Sequence, residues 1–541
     1  MRPTSVRRWL ALGALSLAML TVGLDMTVLN IALPTLARDL HAGTSALQWF
    51  STAYTLTLAG VMLPAGALGD RFGRKKFVFG ALVVFGAASV WCAFASSSGE
   101  LILARVVLGV AASVLMSLSM GMIPVLFPDP AERGRATTVW ITAVTLGMPL
   151  GPIVGGLLLD HFWWGSVFLV NIPTVVIGAL AVGLLVPETR SRTRRPIDPV
   201  SVLLSAAGLV GLTYGLIRFG DKGWGDGTAW AAFAAGLILI VGFVAWERTR
   251  EHALADLGLF GDRGFRMGTF FQLINAFAMF GLFFTVPLYF QSVLGVDSLG
   301  SGLRMLPMIG GLLVASNFLE GLRDRIGLKP TLMIGFGVLA VGMGLGALTG
   351  VDTSYGYVAA WMVVVGLGIG LVLPTSMALA VGALTPERAG AGSALLSAMR
   401  QAAGTTGVAV LGTVLSTRYH SELGSLNHEP VSDGVGSGVA YADAIGDTSV
   451  LHHVRSAFVS GMDLLMVVCA AIAVVGLLLS AAATKGRASP AGTPCAPPWR
   501  TASRRSATPW RSRSGRSSGP PGTPGPGRRT GPRRPSRRRR R

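Results

Sequence analysis

Fourteen long apolar stretches follow one another through this chain, near residues 9–31, 46–67, 77–96, 101–126, 137–159, 166–186, 199–219, 229–246, 267–290, 302–320, 331–350, 357–379, 393–415 and 459–482. Each approaches the ~20 apolar residues that carry an α-helix across ~30 Å of hydrocarbon. A water-soluble fold could not hide so much apolar surface. Composition agrees: 51% of the 541 residues are hydrophobic and 13% are charged, against about 25% charge in a soluble domain. The expected fold is an all-α membrane protein with fourteen transmembrane helices. Arg7 and Arg8 before the first stretch mimic a secretory signal, but the stretch outruns a signal core and lacks a clean cleavage site, so it reads as the first span.

Loop charge sets the expected orientation. An even number of spans puts both termini on one side. With the termini inside, the inner segments before residue 489 carry 23 Lys or Arg and the outer ones only six, Arg38, Arg218, Lys222, Arg304, Arg418 and Arg455. That bias fits a cell-membrane protein with both termini cytoplasmic, and one missed span would invert every later loop. The longest outer loop, about 416–458, mixes Gly and Ser with His420, His428, His452, His453 and several acids. It reads as an ordinary solvated loop without metal-ligand spacing.

The net charge of +20 belongs mostly to the C-terminal end. Residues 489–541 hold fifteen Arg and no acid, which leaves 31 basic against 26 acidic residues, or +5, before them. A segment so rich in Arg, Pro, Gly and Ser cannot bury enough surface to fold, so a disordered tail is expected there. Attraction to anionic headgroups is open to it, as is an origin in a non-native reading frame; specific nucleic-acid binding is not expected. Cys92, Cys469 and Cys495 make neither a disulfide framework nor a metal site.

The chain also repeats itself. Asp70-Arg71-Phe72-Gly73-Arg74-Lys75 follows the second stretch and Asp324-Arg325-Ile326-Gly327-Leu328-Lys329 follows the tenth. Both read Asp-Arg-x-Gly-x-Lys. The spacing suits six helices, an inserted pair and six more, with halves related by an axis along the membrane normal. The expected divisions are 1–196, a linking helix pair at 197–250, 251–488, and the tail at 489–541.

Four motifs carry a resemblance. The first stretch contains Gly23-Leu24-Asp25-Met26-Thr27-Val28-Leu29-Asn30-Ile31-Ala32-Leu33-Pro34, and Gly66 to Lys76 spans the first loop repeat. Leu103-Ala104-Arg105-Val106-Val107-Leu108-Gly109 lies in the fourth stretch, and Gly147-Met148-Pro149-Leu150-Gly151-Pro152-Ile153-Val154-Gly155-Gly156 in the fifth. Residues 1–488 thereby resemble the fourteen-helix drug:proton antiporter branch of the major facilitator superfamily, close to actinomycete antibiotic-export pumps. Two departures stand out: Leu108 where the branch commonly has Gln, and Trp163-Trp164-Gly165 where it often has Arg. The fifth-stretch motif (Gly147, Pro149, Gly151, Pro152, Gly155, Gly156) is the discriminating one, because in the family it accompanies export.

Residue chemistry supports these roles. Asp25 falls well inside the first stretch, where an ionisable residue costs ~2.5–3.5 kcal/mol and is functional by default, here a proton carrier. Arg105 is either its relay partner or an interfacial Arg that snorkels. Gly66 and Gly73 permit turns and close approach, while Asp70, Arg71 and Arg74 can bond helix ends in one gating state and release them in the other. Glycine and proline in the fifth stretch allow close packing and a bend. The resemblance implies a central cavity of aromatic and weakly polar residues, with Tyr54, Gln272, Asn275 and Phe284 as candidates; Arg400, followed by Gln401 and Gly404, reads as structural or gating rather than as a drug ligand. It also implies efflux of small amphipathic drugs by alternating access, by a monomer without cofactors. A superfamily importer or metabolite symporter is the alternative. An enzyme is not expected, since no nucleotide loop, metal cluster or nucleophile–base pair is present.

Overall fold

The computed structural model describes residues 5–186, 188, 198–250, 256–384 and 386–482. The tail at 489–541 and the side chains of Asp70, Pro149 and Asp324 lie outside the described residues. Helix dominates: α1 Ser5–Asp39, α2 Thr44–Phe72, α3 Arg74–Ala93, α4 Ser98–Leu126, α5 Pro130–His161, α6 Ser166–Leu169 and α7 Asn171–Leu185 form a first bundle. The pair α8 Pro199–Lys222 and α9 Gly227–Arg248 follows. A second bundle contains α10 Arg263–Leu288, α11 Ser298–Arg304, α12 Leu306–Ile326, α13 Leu328–Gly346, α14 Tyr355–Gly382, α15 Pro386–Leu423, α16 Val435–Ile445 and α17 Thr448–Ala482.

Among the described residues, twelve helices are long and apolar enough to cross a membrane. Helix α15 carries the thirteenth apolar stretch but does not join those twelve; the fifth stretch lies on α5, whose described run Leu150–His161 is a shorter apolar helix. α15 spends much of its length on Gly, Ala, Thr and Ser where other spans spend it on Leu and Val, and α5 carries a run of glycines. Such small residues let helix backbones approach each other inside a bundle, where apolar bulk would hold them apart.

The two bundles use one packing plan. α1 packs on α5 and α7, α2 and α3 on α4, and α3 on α7; in turn α10 packs on α15 and α17, α12 and α13 on α14, and α13 on α17. The sequence repeat marks equivalent corners of this plan. Gly73 (φ +122°) joins α2 to α3 and Gly327 (φ +86°) joins α12 to α13, each donating its N–H to a carbonyl four residues back. Side chains with a Cβ rarely adopt such φ values, so both turns call for glycine.

Contacts between the bundles concentrate at the end opposite these turns. There Gln291 Nε2 donates to Ile31 O at 2.9 Å, and Thr44 Oγ1 donates to Asp433 O at 3.1 Å. The expected solvated loop is in fact ordered and docked. α15 runs on to Leu423, α16 packs on α17 and α1, Tyr419 OH donates to Val431 O, and His420 Nε2 donates to Ser432 O. Its apolar residues Val431, Val435 and Ala442 explain why: they are buried, so the segment has something to gain by folding down as a lid. The α8–α9 pair covers one seam between the bundles. α8 packs on both α2 and α15, and Thr413 and Ser416 donate to the carbonyls of Leu216 and Gly220.

Candidate functional site

α1 delivers Asp25 to the middle of the first bundle, where it is fully buried. Arg105, two turns in from the start of α4, is equally buried, and its Nη1 lies 2.8 Å from Asp25 Oδ2. The snorkelling alternative therefore fails. The helix end on which Arg105 stands is packed inside the bundle, so its guanidinium meets a carboxylate before it meets water. Asn171 Nδ2 of α7 donates to Asp25 Oδ1 at 3.1 Å and also reaches Ser89 Oγ of α3 at 3.3 Å. Arg105 Nε donates to Phe50 O at 3.3 Å, and its guanidinium lies 4.4 Å from the centre of the Tyr54 ring and 5.9 Å from that of Phe168. Six helices thus meet at one neutral ion pair. Buried charge survives in such a place only when both partners are also hydrogen-bonded.

Sequence reasoning found Asp25, Arg105 and Tyr54 but placed Tyr54 elsewhere, as a cavity residue. It missed Asn171, Ser89 and the Phe50 carbonyl. Polar residues inside apolar stretches were the available signal for the first two, yet this chain has many. Nothing in a linear sequence marks one backbone carbonyl.

The fifth-stretch motif lies along α1. A Cβ added at Gly147 would overlap Leu20 O, one at Gly151 would overlap Thr27 Oγ1 and come within 2.9 Å of Val28 N, and one at Gly155 would stand 2.9 Å from Val28 Cγ2. The motif also reaches the other bundle. Pro152 O abuts Gly302, and a Cβ at Gly156 would stand 2.6 Å from Leu299 Cα. So α5 is pressed against the helix that carries Asp25 on one side and against α11 on the other.

The loop motif is a junction of helix ends. Gly66 and Gly69 admit Ser117 and Leu118 of α4, Arg74 Nη1 donates to Gly121 O, and Lys75 Nζ donates to Gly183 O at 2.6 Å. Arg71 is exposed, with its guanidinium 5.2 Å from the Phe72 ring centre.

Between the bundles lies a space lined by Met26, Thr27, Asn30, Met279, Phe280 and Phe283. Of the four cavity candidates, none is in that lining. Phe284 is core, Tyr54 serves Arg105, and Gln272 Nε2 donates to Leu373 O. Asn275 is fully buried with neither amide atom bonded. The space holds at most about 260 Å³, below the ~300–1,000 Å³ of a drug-sized site. With the lid end closed, the bundles must part before anything large can enter.

The Major Facilitator Superfamily profile matches residues 15–408. The chain belongs to the Major Facilitator Superfamily. Among its relatives, the multidrug efflux pump LfrA of Mycolicibacterium smegmatis is 33% identical over 88% of this chain and 97% of its own. The tetracenomycin C resistance and export protein of Streptomyces glaucescens is 29% identical over 87% and 90%, and the puromycin resistance protein pur8 of Streptomyces alboniger 33% over 81% and 89%. In three dimensions the superfamily member is similar to a bacterial homologue of the human lysosomal transporter Spinster, in an inward-facing, unoccupied conformation. That similarity has a TM-score of 0.64 at 18% identity, covering 90% of this chain and all of the other. It establishes the shared fold.

Proposed function

We propose that this superfamily member exports small amphipathic molecules across the cell membrane in exchange for protons. The observation that carries the reading is the Asp25–Arg105 pair, buried at the meeting point of six helices, with Asp25 on the helix that the glycine stripe of α5 grips. Relatives named for efflux and antibiotic resistance supply the direction. In this reading the chain crosses the membrane fourteen times, with α5 and α15 as the two glycine-rich spans, both termini cytoplasmic and the lid outside. It divides into halves at 1–196 and 251–488, linked by the pair at 197–250, and it works as a monomer with a dispensable tail at 489–541.

The mechanism follows from the pair. A proton reaching Asp25 cancels its charge and releases Arg105 to the Phe50 carbonyl and the Tyr54 ring. The change falls on α1, and α5 transmits it because Gly147, Gly151 and Gly155 leave no slack between the two helices. The contacts of α5 with α11 then shift the bundles, opening one end as the other closes. Proton entry at ~100 mV and one pH unit supplies about 3.7 kcal/mol, enough for a several-hundred-fold gradient.

The test is accumulation of ethidium and a panel of antibiotics in a pump-deficient host, with and without an uncoupler. Lower accumulation that the uncoupler reverses is the expected result. Raised accumulation would favour the importer reading, and uncoupler-insensitive efflux would remove the proton from the mechanism.

A further inference from the structure

A second interior cation stands in α15. Arg400 lies deep within the protein and yet stays half-buried, so part of its side chain faces open space. Among the described residues its guanidinium has neither ion pair nor hydrogen bond, and no acidic side chain is near enough to act on it. A lone charge inside a membrane bundle is costly and calls for a partner. Among the described residues none supplies that partner.

Other polar groups at the level of Arg400 are also incomplete. Gly407 abuts the backbone of Phe277 and Gly281 abuts Leu411, so α10 and α15 run side by side in a fixed register. That register sets Thr269, Gln272 and Asn275 at the height of residues 399–405. Both amide atoms of Asn275, Oε1 of Gln272, Oγ1 of Thr269 and Oε1 of Gln401 are buried without a partner. Gln401 Nε2 approaches Met26 Sδ at 3.9 Å, and Met26 lines the space between the bundles. A polar band therefore borders an apolar, aromatic one.

We propose that Arg400, Gln401 and Asn275 are the polar end of the substrate site, and that the substrate is an organic anion, an aromatic carboxylate or ionised phenol. The proposal rests on the export reading and names the substrate class of that site. A guanidinium offers a planar fork that pairs a carboxylate through two bonds. The amides of Asn275 and Gln401 can both donate and accept, which suits a neighbouring hydroxyl or carbonyl. Met26, Met279, Phe280 and Phe283 take the aromatic body. Asp25, next to Met26 in the chain, offers a cationic substrate little, because it already bonds Arg105 through one oxygen and Asn171 through the other. Export of an anion also draws on the membrane potential directly, since negative charge leaves a negative interior.

The test uses the full chain, purified, and three probes of one shape: 1-hydroxy-2-naphthoate, its methyl ester, and naphthylmethyl-trimethylammonium. Equilibrium binding should rank the anion about tenfold or more ahead of the ester, with the cation weakest, as expected for a charge-assisted pair. Arg400→Gln should erase the anion's advantage over the ester, while Arg400→Lys should keep part of it. Asn275→Ala should weaken anion and ester alike. Equal binding of the three probes, no binding of any, or an anion preference that survives in Arg400→Gln overturns the proposal. If Arg400→Gln does not fold, the graded loss in Arg400→Lys decides. Transport in proteoliposomes under a pH gradient is read separately. An anion that binds through Arg400 but is not moved overturns the export reading alone; ester or cation transport without anion preference overturns only the substrate class.

Discussion

Two arginines stand inside this protein, and the difference between them separates two jobs. Arg105 in α4 meets a carboxylate, a carbonyl and two aromatic rings, all supplied by its own bundle. Among the described residues Arg400 in α15 meets none of these. α5 and α15 occupy equivalent places in the two bundles, as do α1 and α10. Yet α1 carries a charged residue, Asp25, where the polar side chains of α10 are the uncharged Gln272 and Asn275. The first bundle thus closes its own electrostatic circuit, which in the proposed mechanism a proton switches. The second leaves Arg400 open, where the proposed substrate would close the circuit. A repeated fold has been given one self-contained charge pair and one half of a pair.

The largest expected effect breaks the closed side. Asp25→Asn should abolish uncoupler-sensitive efflux, and it should also destabilise the protein, because it strands the buried Arg105 at a cost of about 3–5 kcal/mol. From the sequence alone the opposite follows, since an amide is cheaper to bury than a carboxylate; the ion pair reverses the sign. The double variant Asp25→Asn/Arg105→Gln should regain most of the thermal stability in detergent without regaining transport. Full efflux in either variant would mean that the pair is only structural.

Next in size is the helix contact that couples the closed side to the rest. Gly151→Leu drives a side chain into Thr27 and the backbone of α1, an overpacking cost of about 1–3 kcal/mol or more. Transport should fall at least tenfold at matched expression, with substrate binding retained; normal efflux would show that α5 does not relay the switch.

A smaller effect concerns the lid, which joins the two bundles. Burial, helped by Glu429 and Asp221 and opposed by Lys222 and His420, raises the Asp433 carboxyl above its ordinary value. A docked group with a raised value favours docking when protonated. The lid is therefore held most firmly below the ordinary carboxylate value and loosens as pH rises through the raised one. Hydrogen exchange over residues 424–447, corrected for intrinsic rates, should show more protection at pH 4.5 than at pH 7.5, and Asp433→Asn should remove the difference. The smallest effect should be none: truncation after Arg487 should leave resistance unchanged, and lost export from a correctly inserted truncation would give the tail a role.

Much of this was written in the sequence, and for physical reasons. Length and hydropathy dictate spanning helices because hydrocarbon demands them. The Asp-Arg-x-Gly-x-Lys repeat announced two equivalent turns because only glycine sits easily at φ +122° and +86°. The glycine spacing in the fifth stretch foretold a close helix contact, and Asp25 stood out because a carboxylate inside a span is expensive. What the sequence could not say is which groups meet across it. Residues 25, 89, 105 and 171 converge only after four helices have packed. The lid docks because a few valines and an alanine find apolar partners that are hundreds of residues away in the chain. Above all, Arg105 and Arg400 look alike as letters in two apolar runs. Only packing decides that one is answered and the other is not, because the energy of a buried charge depends on what lies within a few ångströms of it, and helix assembly alone sets those distances.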